Sequence, residues 1–319
     1  MKKNKLVKVL IIILCILAAL VIGATIWLGS MVSEGVLYQN AGNDTHDNSI
    51  KQLETWGYDL EAFTNAHSGV EISAEAEDGN MAIGTLFNEN NDACVILVHG
   101  AGGDRYCVYP LAQGYLENGI DVIAIDQRGS GINPDDKVTF GIHESLDVAA
   151  FVAYAKNDLG YSKVIVHGQS MGGQTVAIYA SNVTPGSIYA ADAVVLDSPV
   201  PGMELMLLEM FSDGNTEDAF SNYLVVAGKM YMKVFDGIDW DDADTINVVK
   251  NDQLPTLLIV SEKDEICLPE QEEELYDNIA SEDKKIMYVD SAHIEGMIDD
   301  PEGYMEGVME FLEEENIER

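Results

Sequence analysis

The chain has 319 residues, and its 55 acidic residues against 17 basic ones give a formal net charge of −38. A protein this acidic repels other polyanions, so we expect no nucleic acid or acidic polymer among its partners. The length is sufficient for one large domain with a full hydrophobic core.

The first 30 residues differ in kind from the rest. Four lysines lie within residues 1–8, and an uninterrupted apolar run covers residues 9–28. Twenty helical residues reach about 30 Å, the thickness of a hydrocarbon core. The run is longer than that of a typical secretory signal, and Ile26, Trp27 and Leu28 stand where a cleavage site needs small residues. Residues 1–30 are therefore predicted to be an uncleaved anchor, with a cleaved signal peptide as the alternative.

Charge also predicts the orientation of this anchor. The lysines precede the span and almost none follow it closely, which favours an inward N-terminus. We therefore expect a single-pass protein of the cell membrane, with everything after the span outside the cytoplasm.

Three cysteines remain outside the anchor, an odd number that rules out a complete disulfide framework. Cys94 opens an apolar run and is predicted to be a small core residue. Cys107 and Cys267 both fall on predicted loops after strands. A bridge between these two is open at this point.

Residues 31–68 are mixed and polar, and they are predicted to be a stalk or arm. Residues 69–76 alternate between apolar and polar, Asp78 and Gly79 supply a turn, and residues 81–87 continue as a second strand. The three segments read as a β-hairpin.

After residue 93 the pattern changes to short apolar runs that alternate with helix-period segments. Strands buried on both faces have this character, and we place them at residues 94–98, 122–125, 164–166, 193–196, 256–260 and 286–289. The helices are expected at residues 106–118, 144–158, 171–181, 269–280 and 301–314. Pro269 and Pro301 suit first helical positions, and Asp300 suits an N-cap.

The order of these elements predicts an α/β fold. The hairpin and the six runs make a mostly parallel eight-stranded sheet with helices on both faces. Residues 199–250 interrupt the alternation and are rich in Met, Leu, Tyr and Phe, which predicts an inserted helical cap. Residues 69–319 are therefore predicted to be one domain that carries this cap.

One pentapeptide, Gly168-Gln169-Ser170-Met171-Gly172, follows an apolar β-branched run and opens a small-residue helix. A tight strand-to-helix turn holds a serine away from the backbone and requires glycine two residues before and after it. A serine hydroxyl is a poor nucleophile unless a base lies beside it. Ser170 is therefore a candidate nucleophile.

Catalytic partners are expected at the carboxyl ends of the other strands, where functional groups of such sheets gather. The run at residues 94–98 ends in His99 and a glycine-rich turn, and the amides of Ala101 and Met171 are predicted to form an oxyanion hole. Asp264 follows the run at residues 256–260, and His293 follows the last run. A carboxylate orients a histidine, and a histidine works near pH 7 as a general base.

The chain at this point resembles the α/β-hydrolase superfamily. The resemblance covers about residues 69–314 and rests on His99 and Gly100, on the Asp-Gln-Arg-Gly-Ser-Gly segment at residues 126–131, on the Ser170 turn and on His293. Within the superfamily the chain resembles bacterial membrane-anchored serine hydrolases related to prolyl-oligopeptidase-like and Bem46-like proteins. The resemblance implies that Asp126 and Arg128 are structural.

By that resemblance Ser170 is the nucleophile, His293 the base, Asp264 the acid, and Ala101 and Met171 the oxyanion donors. The order serine, acid, histidine along the chain is that of this hydrolase fold. We therefore expect a serine hydrolase that cleaves small-molecule carboxylic esters, with an apolar or small acyl group, through an acyl-enzyme. Alternatives are a peptidase or amidase of the same fold, acyl transfer, and a non-catalytic binding homologue. No metal-ligand spacing is present, and no cofactor is expected.

Overall fold

The computed structural model describes residues 2–212 and 217–317, and an eight-stranded sheet dominates it. The strands are β1 (Gly69–Glu75), β2 (Met81–Phe87), β3 (Ala93–Val98), β4 (Asp121–Asp126), β5 (Lys163–Gln169), β6 (Ala193–Asp197), β7 (Thr256–Ser261) and β8 (Lys284–Val289). Their order across the sheet is β1-β2-β4-β3-β5-β6-β7-β8. The two pairs that involve β2 are antiparallel and all others are parallel, as predicted.

Helices follow the strands on both faces of the sheet. They are α1 (Lys2–Leu37), α2 (Thr45–Thr55), α3 (Leu60–Ala66), α4 (Tyr109–Glu117), α5 (Glu144–Tyr154), α6 (Met171–Asn182), α7 (Met203–Ser212), α8 (Ala219–Tyr231), α9 (Thr245–Val248), α10 (Pro269–Asn278), α11 (Gly296–Asp299) and α12 (Pro301–Glu314). Pro269 and Pro301 occupy the first turns of α10 and α12, and Asp300 caps α12 by accepting a hydrogen bond from the Gly303 amide, which confirms these predictions.

The hydrophobic core lies on both faces of the central strands. Every residue of β3, β4, β6 and β7 is buried, which confirms that these apolar runs are internal strands. The prediction for the last run was wrong in one respect. β8 pairs only with β7 and is half-buried, with Tyr288 48% exposed, because it forms the edge of the sheet.

The chain divides into two compact units. Residues up to Gln39 together with Glu204–Trp240 form the first, and Asn40–Met203 together with residues from Asp241 onward form the second. The first unit contains α1, α7 and α8, and residues 213–216 of the predicted cap lie outside the described residues.

Helix α1 continues well beyond the apolar run. Among the described residues, Val7–Leu37 is the one helix long and apolar enough to cross a membrane, and its most apolar window is fully exposed. From Thr25 onward α1 packs against α8. A Cβ on Gly29 would lie 2.5 Å from the carbonyl oxygen of Ala227, so the two helix backbones approach closely at this glycine. The Thr25 hydroxyl also lies 2.5 Å from that of Tyr223.

The segment predicted as an arm contains α2 and α3 in addition to the end of α1. Each of these short helices buries a single apolar side chain, Leu53 in α2 and Phe63 in α3. The apolar pattern was therefore too weak to predict them. Ser49 on α2 is fully buried and accepts a hydrogen bond from the Asp104 amide. The arm residues from Asn40 onward therefore belong to the second unit.

Candidate active site

Ser170 lies on a sharp turn between β5 and α6, with φ 57° and ψ −122°. The left-handed φ is unfavourable for a side chain other than glycine and is maintained by the surrounding packing. A Cβ on Gly168 would lie 2.2 Å from the carbonyl oxygen of Gly172, and one on Gly172 would lie 2.1 Å from that of Val98. Both positions therefore exclude any larger residue.

The structure brings Ser170, Asp264 and His293 together. The Nε2 atom of His293 lies 2.9 Å from Ser170 Oγ, and its Nδ1 atom lies 2.6 Å from Asp264 Oδ2. Because an ionised carboxylate only accepts hydrogen bonds, Nδ1 carries the imidazole proton and Nε2 accepts from the serine hydroxyl. The imidazole is therefore held in the tautomer that can receive the serine proton.

Backbone hydrogen bonds fix the side chain of Asp264 next to the histidine. Its Oδ1 atom accepts hydrogen bonds from the amides of Ile266 and Cys267, at 2.8 and 2.9 Å. Its side chain is fully buried, whereas the His293 side chain is 13% exposed and Ser170 is 9% exposed. The serine and histidine side chains are therefore slightly exposed to solvent, whereas the carboxylate is not.

The turn after β3 runs alongside Ser170. A Cβ on Gly100 would lie 3.2 Å from Ser170 Cβ, so the backbone that leads to Ala101 passes next to the serine. Met171 is the first residue of α6, and the amide of a first helical residue has no partner within its helix. The amides of Ala101 and Met171 thus belong to two chain segments that flank Ser170.

His99 is fully buried and stabilises the turn after β3 through hydrogen bonds of its ring. Its Nδ1–H donates to the Gly100 carbonyl at 2.7 Å, and its Nε2 accepts from the Gln127 amide at 3.1 Å. Burial lowers the pKa of His99, which agrees with a neutral ring that uses one nitrogen as donor and one as acceptor. The ring thereby ties the Gly100 turn to the end of β4.

Sequence reasoning missed two buried carboxyls in the region of Ser170, Asp264 and His293. Asp197, at the end of β6, accepts hydrogen bonds from Gln169 Nε2 and the Tyr304 hydroxyl, both at 2.8 Å. Burial raises the pKa of Asp197, and these two hydrogen bonds oppose the rise. Glu272, in the first turn of α10, is 1% exposed, and burial together with the charge of Asp264 raises its pKa to about 10. The end of β6 was a detectable signal for Asp197, whereas nothing local distinguishes Glu272 from its acidic neighbours.

The cysteines are free in the structure, which answers the question left open by the sequence. Cys107 is buried, and its thiol lies 3.0 Å from the Ser49 hydroxyl. Cys267 is buried close to Asp264, and its thiol, one Asp264 oxygen and one His293 nitrogen all lie within 4.8 Å of one another. In the part of the chain that the structure describes, this is the one group of side chains arranged to hold a metal ion.

The segment after β4 has a different role. Arg128 is almost fully buried, and its guanidinium pairs with Asp78, Asp135 and Asp147 at 2.6 to 3.3 Å. Asp126 accepts from the amides of Arg105 and Ile132, both at 3.0 Å. Neither side chain has a hydrogen bond with Ser170 or His293 among the described contacts, in line with the structural role implied by the resemblance.

Comparisons with known proteins give a consistent picture. A family model described as alpha/beta hydrolase fold matches residues 94–224. Methylesterase 18 of Arabidopsis thaliana is 35% identical over 106 residues, which cover 31% of this chain and 39% of that protein's length. The YfhR protein of Escherichia coli is 23% identical over 253 residues, or 77% of this chain and 81% of its own.

The solved structures show the same fold. An esterase of Pyrococcus furiosus superposes with a TM-score of 0.65 at 20% identity, over 81% of this chain and 94% of that one. The predicted α/β-hydrolase fold is thereby confirmed.

Proposed function

We propose that the chain is a serine hydrolase of the α/β-hydrolase superfamily, and that it cleaves carboxylic esters with Ser170, His293 and Asp264 as its triad. The observation that carries the proposal is the continuous hydrogen-bonded chain from Ser170 Oγ through the His293 ring to Asp264 Oδ2. Its three members follow the carboxyl ends of three parallel strands, β5, β7 and β8.

The first half-reaction forms an acyl-enzyme. Ser170 Oγ attacks the ester carbonyl while His293 Nε2 takes the serine proton, and Asp264 stabilises the resulting imidazolium. The amides of Ala101 and Met171 donate to the oxyanion of the tetrahedral intermediate. Collapse of the intermediate expels the alcohol, which takes the proton from His293.

The second half-reaction releases the acid. Water attacks the acyl carbonyl, His293 accepts a proton from this water, and the same two amides stabilise the second oxyanion. Ser170 then leaves with its proton restored. No group outside the five named residues is needed to balance these steps.

Ester cleavage is favoured over amide cleavage by the relatives. The name of the Arabidopsis protein, Methylesterase 18, and the esterase title of the Pyrococcus structure both support an ester substrate. An apolar or small acyl group, membrane anchoring by α1 and an extracytoplasmic catalytic unit complete the proposal. Peptidase activity and a non-catalytic role are the outcomes against which it is tested.

A fluorophosphonate probe tests the nucleophile directly. The full chain in detergent should be labelled, Ser170→Ala should not, and Ser181→Ala should be labelled like the wild type because Ser181 lies near the other end of α6 and donates to the Ala177 carbonyl. Equal labelling of wild type and Ser170→Ala would refute the proposal. Rates on p-nitrophenyl esters of graded length, beside aminoacyl anilides, then separate an esterase from a peptidase.

A further inference from the structure

The acid side of the triad combines three kinds of metal-binding atom. Asp264 contributes a carboxylate, Cys267 a thiol and His293 a ring nitrogen, and these atoms lie within 4.8 Å of one another. The ring nitrogen next to the carboxylate is Nδ1, which lies 2.6 Å from Asp264 Oδ2. Zinc in proteins is bound by these three ligand types, most often in a tetrahedral arrangement. Asp264 and Cys267 come from the loop after β7, and His293 comes from the loop after β8.

A second, independent observation comes from Glu272. Both of its carboxyl oxygens are buried and have no hydrogen-bond partner among the described residues. Glu272 lies five residues after Cys267, in the first turn of α10. An unpartnered buried polar group is costly, and a bound cation would supply the missing partner.

We propose that Asp264, Cys267 and His293 form an inhibitory binding site for Zn²⁺. The inference rests on the proposed function only in that it takes His293 as the base. It adds a site and a mode of inhibition that hydrolysis does not require.

Binding exchanges protons for metal bonds. The Cys267 thiol loses its proton to solvent, and the single ring proton of His293 moves through solvent from Nδ1 to Nε2, as Zn–S, Zn–N and Zn–O bonds form. Ligands on one tetrahedral zinc lie about 3.3 Å apart, given Zn–N and Zn–O distances of about 2.0 to 2.1 Å. The separation of 2.6 Å between His293 Nδ1 and Asp264 Oδ2 must therefore widen slightly when the ion replaces the shared proton.

Inhibition follows from the tautomer of the histidine. A neutral imidazole has one ring proton, so metal on Nδ1 leaves that proton on Nε2. Nε2 then donates to Ser170 Oγ and has no lone pair to receive the serine proton. Ser170 is thereby left without its base, although the metal ion lies on the Nδ1 side of the ring and does not contact the serine.

Metal binding is tested without any reliance on turnover. The detergent-solubilised full chain, stripped with a chelator, is titrated with Co²⁺ while the thiolate-to-cobalt charge-transfer absorption is recorded. The wild type and Cys107→Ser should develop this band, because Cys107 is a buried thiol with Ser49 and Gln52 as partners and no part in the site. Cys267→Ser and Cys267→Ala should lack it, and Zn²⁺ should abolish the band in the wild type.

Inhibition is tested in parallel by the rate of fluorophosphonate labelling with and without Zn²⁺. The wild type and Cys107→Ser should slow and recover on chelation, and Cys267→Ser should need about tenfold more Zn²⁺ or higher for the same effect. Mg²⁺ should have no effect, because it selects oxygen ligands. Absence of the cobalt band in folded wild type, or its persistence in both Cys267 variants, would overturn the site. A chain that binds Co²⁺ but never labels would instead refute the proposed hydrolase.

Discussion

Glu272→Gln should remove a pH-dependent loss of stability from the folded protein. Burial and the charge of Asp264 raise the pKa of the Glu272 carboxyl from 4.5 to about 10. A group whose pKa is raised on folding contributes its full stability below the unfolded value and loses it as the pH rises toward the folded value. The window here runs from about pH 4.5 to about pH 10.

The magnitude follows from proton uptake. At pH 7 the unfolded chain has released this proton and the folded chain retains it. Folding must therefore take up a proton at a pH about 2.5 units above the pKa of the unfolded carboxyl. At about 1.36 kcal/mol per unit, the carboxyl lowers the free energy of unfolding by about 3 kcal/mol relative to a neutral isostere. Glutamine has nearly the same shape and stays neutral at every pH.

Urea unfolding of the full chain in detergent, with a chelator present, measures this difference by tryptophan fluorescence. Between pH 5 and pH 7 the wild type should lose about 2.5 kcal/mol relative to Glu272→Gln. Glu274→Gln is the matched control, because Glu274 is exposed on the same helix, and it should follow the wild type. Parallel pH profiles for wild type and Glu272→Gln would refute the buried, neutral carboxyl.

Three further substitutions test the turn, the buried cation and the acid. Gly172→Ala places a Cβ 2.1 Å from a backbone oxygen and should cost about 3 kcal/mol of stability, measured by urea unfolding; a change within error would contradict the close approach. Arg128→Ala leaves Asp147 buried without its cation and should cost about 3 to 5 kcal/mol in the same assay, and a neutral result would contradict a buried pair. Asp264→Asn should lower ester turnover by up to about 10⁴-fold, because the imidazole of His293 loses its orienting charge. The thermal midpoint of unfolding should stay close to that of the wild type. Turnover equal to the wild type would exclude Asp264 as the acid.

Much of the fold is predictable because its signals are local. A proline is tolerated at a helix start because its missing amide proton is not needed there, and Asp300 caps α12 with its own side chain. The apolar runs predict internal strands because each is buried on both faces. The run at residues 286–289 carries the same signal, yet β8 is the sheet edge, since strand order depends on contacts between distant segments. The limits predicted for anchor, arm and hydrolase domain stay predictions.

By itself the sequence determined the turn at Ser170, because glycine at positions 168 and 172 is a requirement of local backbone packing. It also predicted the strand ends at which an acid and a base are expected, and the triad assignment stays a prediction. Only the tertiary structure decided that His293 approaches Asp264 and Ser170, which lie 29 and 123 residues away along the chain. The same holds for the unpartnered carboxyl of Glu272, because burial and hydrogen bonding depend on which distant segments pack around a residue.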